Sequence, residues 1–361
     1  TDPRGCPVAV SVFEGNTADS KTLAPQVARL KGEFGIERFV LVGDRGMISQ
    51  KSIDELKTLS GVDWITAMKN AQIRSLVEQR GLQLGLFDER NLFEFTHPDY
   101  PGERLIACRN WALAKLRAAK RQALLEATST ELEKVRAMVA GKKLRGRAKI
   151  GLRTGRVVNK YKVAKHFDLQ IEDDHLVFEI RQQVEQEAAL DGIYVLRTPL
   201  AAQSMEAPQV VRTYKSLANV ERAFRSLKTI DLKVRPIHHR LSDRVRAHIF
   251  LCMLAYYVEW HMREAWRAMI FADEDQAAKS QRDPVAPAKR SATAEQKART
   301  HTLSDGTPAH SLRTLLEELS SIVRNTCRTA RSPAKAPTFM IVTQPNPIQQ
   351  RALKLLDSIT V

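Results

Sequence analysis

The sequence predicts an α/β protein, and three observations carry that prediction. Over residues 1–70, short β-branched apolar runs alternate with amphipathic stretches of helical period. From Ala71 to Leu190 that rhythm gives way to paired strand runs and an extended helical stretch. The alternation resumes at Gly192 with the run GIYVLRT. The order strand, helix, strand, helix, strand at the start implies a sheet with crossover helices.

Pro7 to Phe13 (PVAVSVF) reads as the first strand, closed by the turn residues Glu14-Gly15-Asn16. Asp19 or Ser20 opens a helix with Leu23, Val27 and Leu30 on one face, ending at Gly35. Arg38 to Val42 is a buried-type strand, with Gly43-Asp44-Arg45-Gly46 at its end. Ser49 is the expected N-cap of a helix over Ile53 to Leu59; Gly61 stops it, and Val62 to Met68 is the next strand.

Leu92 to Thr96 and Arg104 to Cys108 look like two strands joined by the turn-rich His97 to Gly102. Trp111 to Ala140 predicts one long helix, or two broken near Thr128-Ser129-Thr130. Its seam is Leu125, Thr128, Leu132, Val135 and Val139, as in a helical hairpin or a partner-binding coil. Phe167 to Ile171 and Leu176 to Ile180 alternate around Glu172-Asp173-Asp174, which predicts a hairpin. After the strand at Gly192 come a helix over Pro208 to Lys228, a looser Lys233 to Arg240, and an apolar helix from Ser242 to about Ala268. Ala272 to Ser311, rich in Ala, Pro, Lys and Ser, reads as a mobile linker. A helix over Leu312 to Cys327, a strand over Thr338 to Val342 and a helix over Pro347 to Leu356 complete the chain.

The 361 residues are 43% hydrophobic, enough for a globular protein with a sizeable core. Lys and Arg number 57 against 41 Asp and Glu, a net +16, which favours a polyanionic partner. The longest apolar run, Ile249 to Val258, is too short to span a bilayer, so nucleic acid is preferred over a membrane surface. Cys6, Cys108, Cys252 and Cys327 lie far apart with no CxxC spacing, which argues against a disulfide framework or a zinc site and suits a reducing compartment.

Three features carry chemistry. Asp44 ends a buried strand, the place where α/β sheets put ligands, and its carboxylate suits Mg²⁺; a simple loop cap is the alternative. On a helix over Pro208 to Lys228, Tyr214, Glu221 and Lys228 recur every seven residues and share one stripe, with Arg225 one turn beyond the Glu. Glu221 there suits a metal and its neighbours suit phosphate oxygens; a plain stripe of ion pairs is the alternative. The third is the basic arm Gly141 to Lys165, carrying Lys142, Lys143, Arg145, Arg147 and Lys149 and no acid, with a lesser echo over Arg222 to Arg246. Such an arm suits sequence-blind, salt-dependent attraction to DNA, with a solvated loop as the alternative.

Phe13 to Ser20 (FEGNTADS) and Val42 to Met47 (VGDRGM) resemble the core of bacterial insertion-sequence transposases of the insertion-sequence-four superfamily. Asp191 to Thr198, Tyr214 to Lys228 and Arg235 to Arg240 resemble its later blocks, in the right order. The resemblance is weakest from Ala71 to Leu190 and after Ala272. It implies a ribonuclease-H-like core binding Mg²⁺ (or Mn²⁺) through three carboxylates, with an insertion domain between the second and third. Asp44 matches the second carboxylate and Glu221 the third. Tyr214 and Lys228 match the Tyr and Lys of the Tyr-Arg-Glu-Lys signature, whose Arg is Leu217 here, so Arg222 or Arg225 would have to compensate.

The first carboxylate belongs on a strand ahead of Pro7, so the first strands of the core are expected to be missing. Asp2 sits in a turn-like Thr-Asp-Pro-Arg-Gly context and is a poor substitute. The expected layout is residues 1–70 as the first part of the core and 71–190 as a mixed α+β insertion domain. Residues 191–271 form the second part, 272–311 the linker and 312–361 the helical C-terminal tail. The implied activity is metal-dependent cleavage and strand transfer of double-stranded transposon ends, by a dimer on DNA in the bacterial cytoplasm at the nucleoid. The alternatives are a catalytically dead DNA-binding remnant and a related structure-specific nuclease. On this reading the chain alone, lacking the first Asp, is expected to be inactive.

Overall fold

The computed structural model describes residues 1–230, 232, 234–328 and 337–360. The chain divides into two units. A sheet unit comprises 19–214 and 283–287, and a helical unit comprises 1–18, 215–282 and 288–361.

The sheet unit begins with α1 (Leu23–Gly32), which buries Leu23 and Val27, the face its spacing predicted. β1 (Phe39–Val42) then pairs in parallel with β2 (Val62–Ala67), from Phe39 opposite Val62 to Val42 opposite Ile65. A parallel pair needs a crossover, and α2 (Gln50–Lys57) supplies it, buried through Ile53 and Leu56. Ser49 is its N-cap, accepting from the Ser52 N–H at 3.3 Å, as its position before the apolar run predicted. Gly61 is at φ +74, and a Cβ there would meet the Glu37 carbonyl at 2.4 Å, so only glycine joins α2 to β2 in this way.

α3 (Asn70–Glu78) leads to the hairpin of β3 (Leu92–Phe95) and β4 (Arg104–Arg109). α4 (Trp111–Ala140) is one unbroken helix, and Leu125, Thr128, Leu132, Val135 and Val139 are its buried seam. The hydroxyl of Thr128, the first residue of the possible break, donates to the Leu124 carbonyl at 2.7 Å, so it stays within the helix. α5 (Arg147–Tyr161) returns against that seam through Ile150, Thr154 and Val158. β5 (Phe167–Ile171) and β6 (Leu176–Ile180) form the predicted hairpin beside them. α6 (Gln183–Ala189) leads back to β7 (Ile193–Thr198), and α7 (Ala207–Lys215) follows.

Five of the strands form one sheet, in the order β1-β2-β7-β4-β3. β4 pairs antiparallel with β7 along its whole length, from Arg104 opposite Thr198 to Arg109 opposite Ile193. β3 and β4, expected in a separate insertion, are therefore part of this sheet. What stands apart is α4, α5 and the β5–β6 hairpin, with a core of their own around Leu132, Val158, Phe167 and Leu176.

Strict alternation gives the sheet its two faces. Leu105, Ala107, Ile193 and Val195 pack with Ile73 and Leu76 of α3, whereas Ile106, Cys108 and Leu196 pack with Val210 and Val211 of α7. Gly192 permits the entry to β7: at φ +74, a Cβ would sit 2.3 Å from the Asn110 carbonyl.

The helical unit holds α8 (Leu217–Arg225), a π turn over Ser226–Ile230, and α9 (Ser242–Ala265). α10 (Gln276–Gln281), α11 (Ala292–Thr300), α12 (Leu312–Leu319), the hairpin β8 (Arg324–Cys327) with β9 (Phe339–Val342), and α13 (Pro347–Leu356) complete it. Its core gathers Trp266, Met269, Ile270, Leu312, Leu315 and Ala352.

Three sequence expectations differ from the structure. Pro7 to Phe13 forms no ladder among the described residues. Its apolar residues do not bury one face, since Val8 and Phe13 are exposed, and Pro7 has no N–H to offer a ladder. Ala272 to Ser311 contains α10 and α11 instead of a mobile linker. Lys297 is buried there, with Nζ donating to the carbonyls of Arg267 and Ile270 at 3.1 and 3.2 Å and pairing with Glu274. The helix expected over Leu312 to Cys327 ends at Leu319, and its last residues form β8. The looser segment expected over Lys233 to Arg240 begins outside the described residues.

Candidate active site

Asp44 stands two residues past β1 in a tight loop. Its Oδ1 accepts from the backbone N–H groups of Gly46 and Met47, each at 2.8 Å, an Asx-type turn that aims the carboxylate. The ladder continues just before it, with the Gly43 N–H donating to the Ile65 carbonyl at 3.2 Å. A Cβ on Gly43 would meet Ile48 at 2.8 Å, and one on Gly46 would come within 3.2 Å of Asp44 Oδ1. The two glycines therefore let the loop close around an unobstructed carboxyl group. Asp44 is exposed, and its Oδ2 makes no hydrogen bond or ion pair among the described residues.

The helix expected to carry Tyr214, Glu221 and Lys228 on one stripe is not continuous. α7 ends at Lys215 and α8 begins at Leu217, so Tyr214 belongs to the sheet unit and Glu221 and Lys228 to the helical unit. Tyr214 packs its ring against the cluster of Ile65, Leu196 and Val210. Within α8 and the π turn a shorter stripe survives. Glu221, Phe224, Arg225 and Lys228 are exposed at helical spacing, while Ala223 and Ser226 are buried. Lys228 Nζ lies over the Phe224 ring at 5.2 Å, and Arg222 donates to Asn219 at 3.4 Å. Glu221 makes no ion pair among the described residues, although Arg222 and Arg225 are its neighbours in sequence.

In the basic arm, Lys142, Lys143, Arg145, Arg147 and Lys149 are all exposed. The first three occupy the turn between α4 and α5, and Arg147 and Lys149 open α5. The arm is thus held on a helical hairpin. Asp2 is used locally: its Oδ1 accepts from the N–H groups of Arg4 and Cys6, each at 2.9 Å, and its Oδ2 pairs with Arg4 at 2.8 Å. Those contacts hold its carboxyl below the usual range even against partial burial, which acts to raise it.

Divalent magnesium is held by one or two carboxylates and keeps several waters. Among the described residues, Asp44 Oδ2 and the Glu221 carboxylate are engaged by no hydrogen bond or ion pair, so each by itself has the chemistry of one such ligand. Among the described residues, no group of three or more His, Cys, Asp or Glu is placed to hold a metal by itself.

A family model for the transposase DDE domain matches residues 1–258 of the chain. The chain belongs to the DDE transposase family. No curated protein and no solved structure matches it. The family implies a DNA-cleaving, phosphoryl-transfer enzyme that uses a divalent metal, with DNA as partner. Among the described residues of this transposase domain, no helix is long and apolar enough to cross a membrane.

One residue of the domain's design escaped the sequence reading. Arg197 of β7 is buried and donates twice to Glu103, at 2.6 and 2.7 Å, and once to Gln50, the first residue of α2, at 3.0 Å. It thereby fixes the start of the helix that follows the Asp44 loop. The only sequence signal was an arginine inside an otherwise apolar strand run.

Proposed function

We propose that this chain is the DDE domain of a transposase that performs metal-dependent DNA cleavage and strand transfer for an insertion sequence of the insertion-sequence-four type, with Asp44 and Glu221 as metal-holding carboxylates on a ribonuclease-H-like core. The observation that carries the reading is the Asp44 loop, where two backbone amides fix one carboxylate oxygen and the other has no partner among the described residues. The order of the family-like blocks around Asp44 and Glu221 supports the assignment of the second residue.

A bound Mg²⁺ or Mn²⁺ would polarise the scissile phosphate and activate a water or a DNA 3′-hydroxyl. Tyr214, Arg222, Arg225 and Lys228 position the DNA phosphate, which is most of the protein's work in phosphoryl transfer. The basic arm grips the duplex backbone, and the protein acts as a dimer on paired ends at the bacterial nucleoid.

The reading predicts tight binding of duplex DNA that weakens steeply with salt, because the contacts are to phosphate. Neutralising Lys142, Lys143, Arg145, Arg147 and Lys149 together should flatten the plot of log affinity against log salt by as much as ~4.5, if each touches one phosphate. Fluorescence anisotropy over a salt series checks this. An unchanged slope would make the arm a solvated turn, and a chain that binds no duplex DNA would overturn the reading.

A further inference from the structure

A second cationic surface lies in the sheet unit, away from the tip of the arm. It is a cleft of ≈ 710 Å³ between α3, the first half of α4, the end of α5 and the turn after it. From α4 come Arg117, Lys120 and Arg121, at spacings that put them on one helix face. Lys160 and Lys162 come from the end of α5, and Arg74 from α3. Lys162 holds a left-handed cap at φ 55, a conformation in which glycine is the usual residue.

The acids in the cleft answer only some of this charge. Asp191 takes Arg121, and Glu187 takes Lys165 at 2.8 Å and Arg74 at 3.7 Å. Arg117, Lys120 and Lys162 have no ion pair or hydrogen bond among the described residues, and Lys160 lies over the Tyr161 ring at 5.0 Å with Glu131 as a more distant opposite charge. Like charges spread along one concave surface repel each other, a cost that an anionic ligand would relieve. The cleft also adjoins the Asp44 loop. Asn70, which lines it, accepts from Arg45 at 3.4 Å, and Arg45 is the residue after Asp44.

We propose that this cleft seats the phosphodiester backbone of duplex DNA and leads it to the Asp44 loop. The proposal rests on the DNA-cleaving reading above but names a different surface from the tip of the arm at Lys142 to Lys149. A row of unpaired cations on two helices matches a linear polyanion better than a single small anion, because the charges are spread over α4 and α5 and do not converge on one point.

Lysine footprinting of the wild-type chain tests it. Bound duplex DNA should protect Lys120, Lys160 and Lys162 from acylation at least about fivefold, while Lys21 and Lys51 stay reactive. Three substitutions add an energetic readout. Arg117→Ala/Lys120→Ala/Lys162→Ala should weaken binding about tenfold or more and flatten the salt slope by about 2 to 3. The equally discharged Arg38→Ala/Arg80→Ala/Arg90→Ala should do neither, and Arg117→Lys/Lys120→Arg/Lys162→Arg should retain the wild-type slope. If DNA binds but the cleft lysines stay reactive, or if both alanine triples behave alike, the cleft proposal fails and the transposase reading stands. If the wild-type chain binds no duplex DNA, both fail.

Discussion

Replacing Glu103 by Leu should destabilise the sheet unit more than any other single change considered for this chain. Glu103 and Arg197 are both almost fully buried, and the substitution leaves the Arg197 guanidinium with only Gln50 and the face of Tyr100, 4.8 Å from the ring centre. Stranding a buried charge costs about 3–5 kcal/mol. In a unit of this size that corresponds to a fall in Tm on the order of 10 °C. Arg197→Met should cost less, because Lys57 still reaches Glu103 at 3.3 Å. The double change Glu103→Leu/Arg197→Met should recover most of the loss, since a well-packed apolar pair often replaces a buried ion pair without penalty. Thermal melts of the three variants check the order. A milder effect for Glu103→Leu than for Arg197→Met would show that the lysine contact contributes nothing.

The second large effect is catalytic. On the transposase reading, Asp44→Asn and Glu221→Gln should each reduce Mg²⁺-dependent cleavage of transposon-end DNA by about 10³-fold. That is the scale on which removal of a key electrostatic group in a reaction centre is felt. Both substitutions are isosteric, so the Gly46 and Met47 N–H groups still find an acceptor at position 44. Duplex binding should therefore be retained. Cleavage surviving either substitution would remove that residue from the reaction, and lost binding alongside lost cleavage would point to a structural role.

Much of the sheet unit was legible because its signals are local. Ser49 before an apolar run marks a cap, Gly61 marks a backbone conformation that only glycine takes easily, and the α4 seam repeats over several turns. Pairing that joins distant segments was not legible. β3 and β4 read as a hairpin, but nothing in their residues announces that β4 lies beside β7.

The break at Ser216 was hidden because no Gly or Pro marks it and the helical pattern runs through. Lys297 was hidden for a related reason. A lysine in an Ala- and Pro-rich stretch looks solvated until the carbonyls after α9 are seen around its ammonium group. Asp44 stood out as a carboxylate at a strand end between glycines. The cleft did not, because Arg74, Lys120 and Lys162 come from two helices and the turn after a third, and meet only in the fold.

Asp44 and Glu221 are proposed to hold metal for the same reaction, and metal binding tests that without requiring turnover. Mn²⁺ titration by calorimetry should be run on the wild type, Asp44→Asn, Glu221→Gln and the double variant, each with duplex DNA present. Ligands of a shared centre are strongly coupled, whereas independent sites add. Each single substitution should abolish the same binding event, and the double variant should lose nothing further. Two separable losses that sum in the double variant, or Mn²⁺ binding indifferent to both residues, would contradict it.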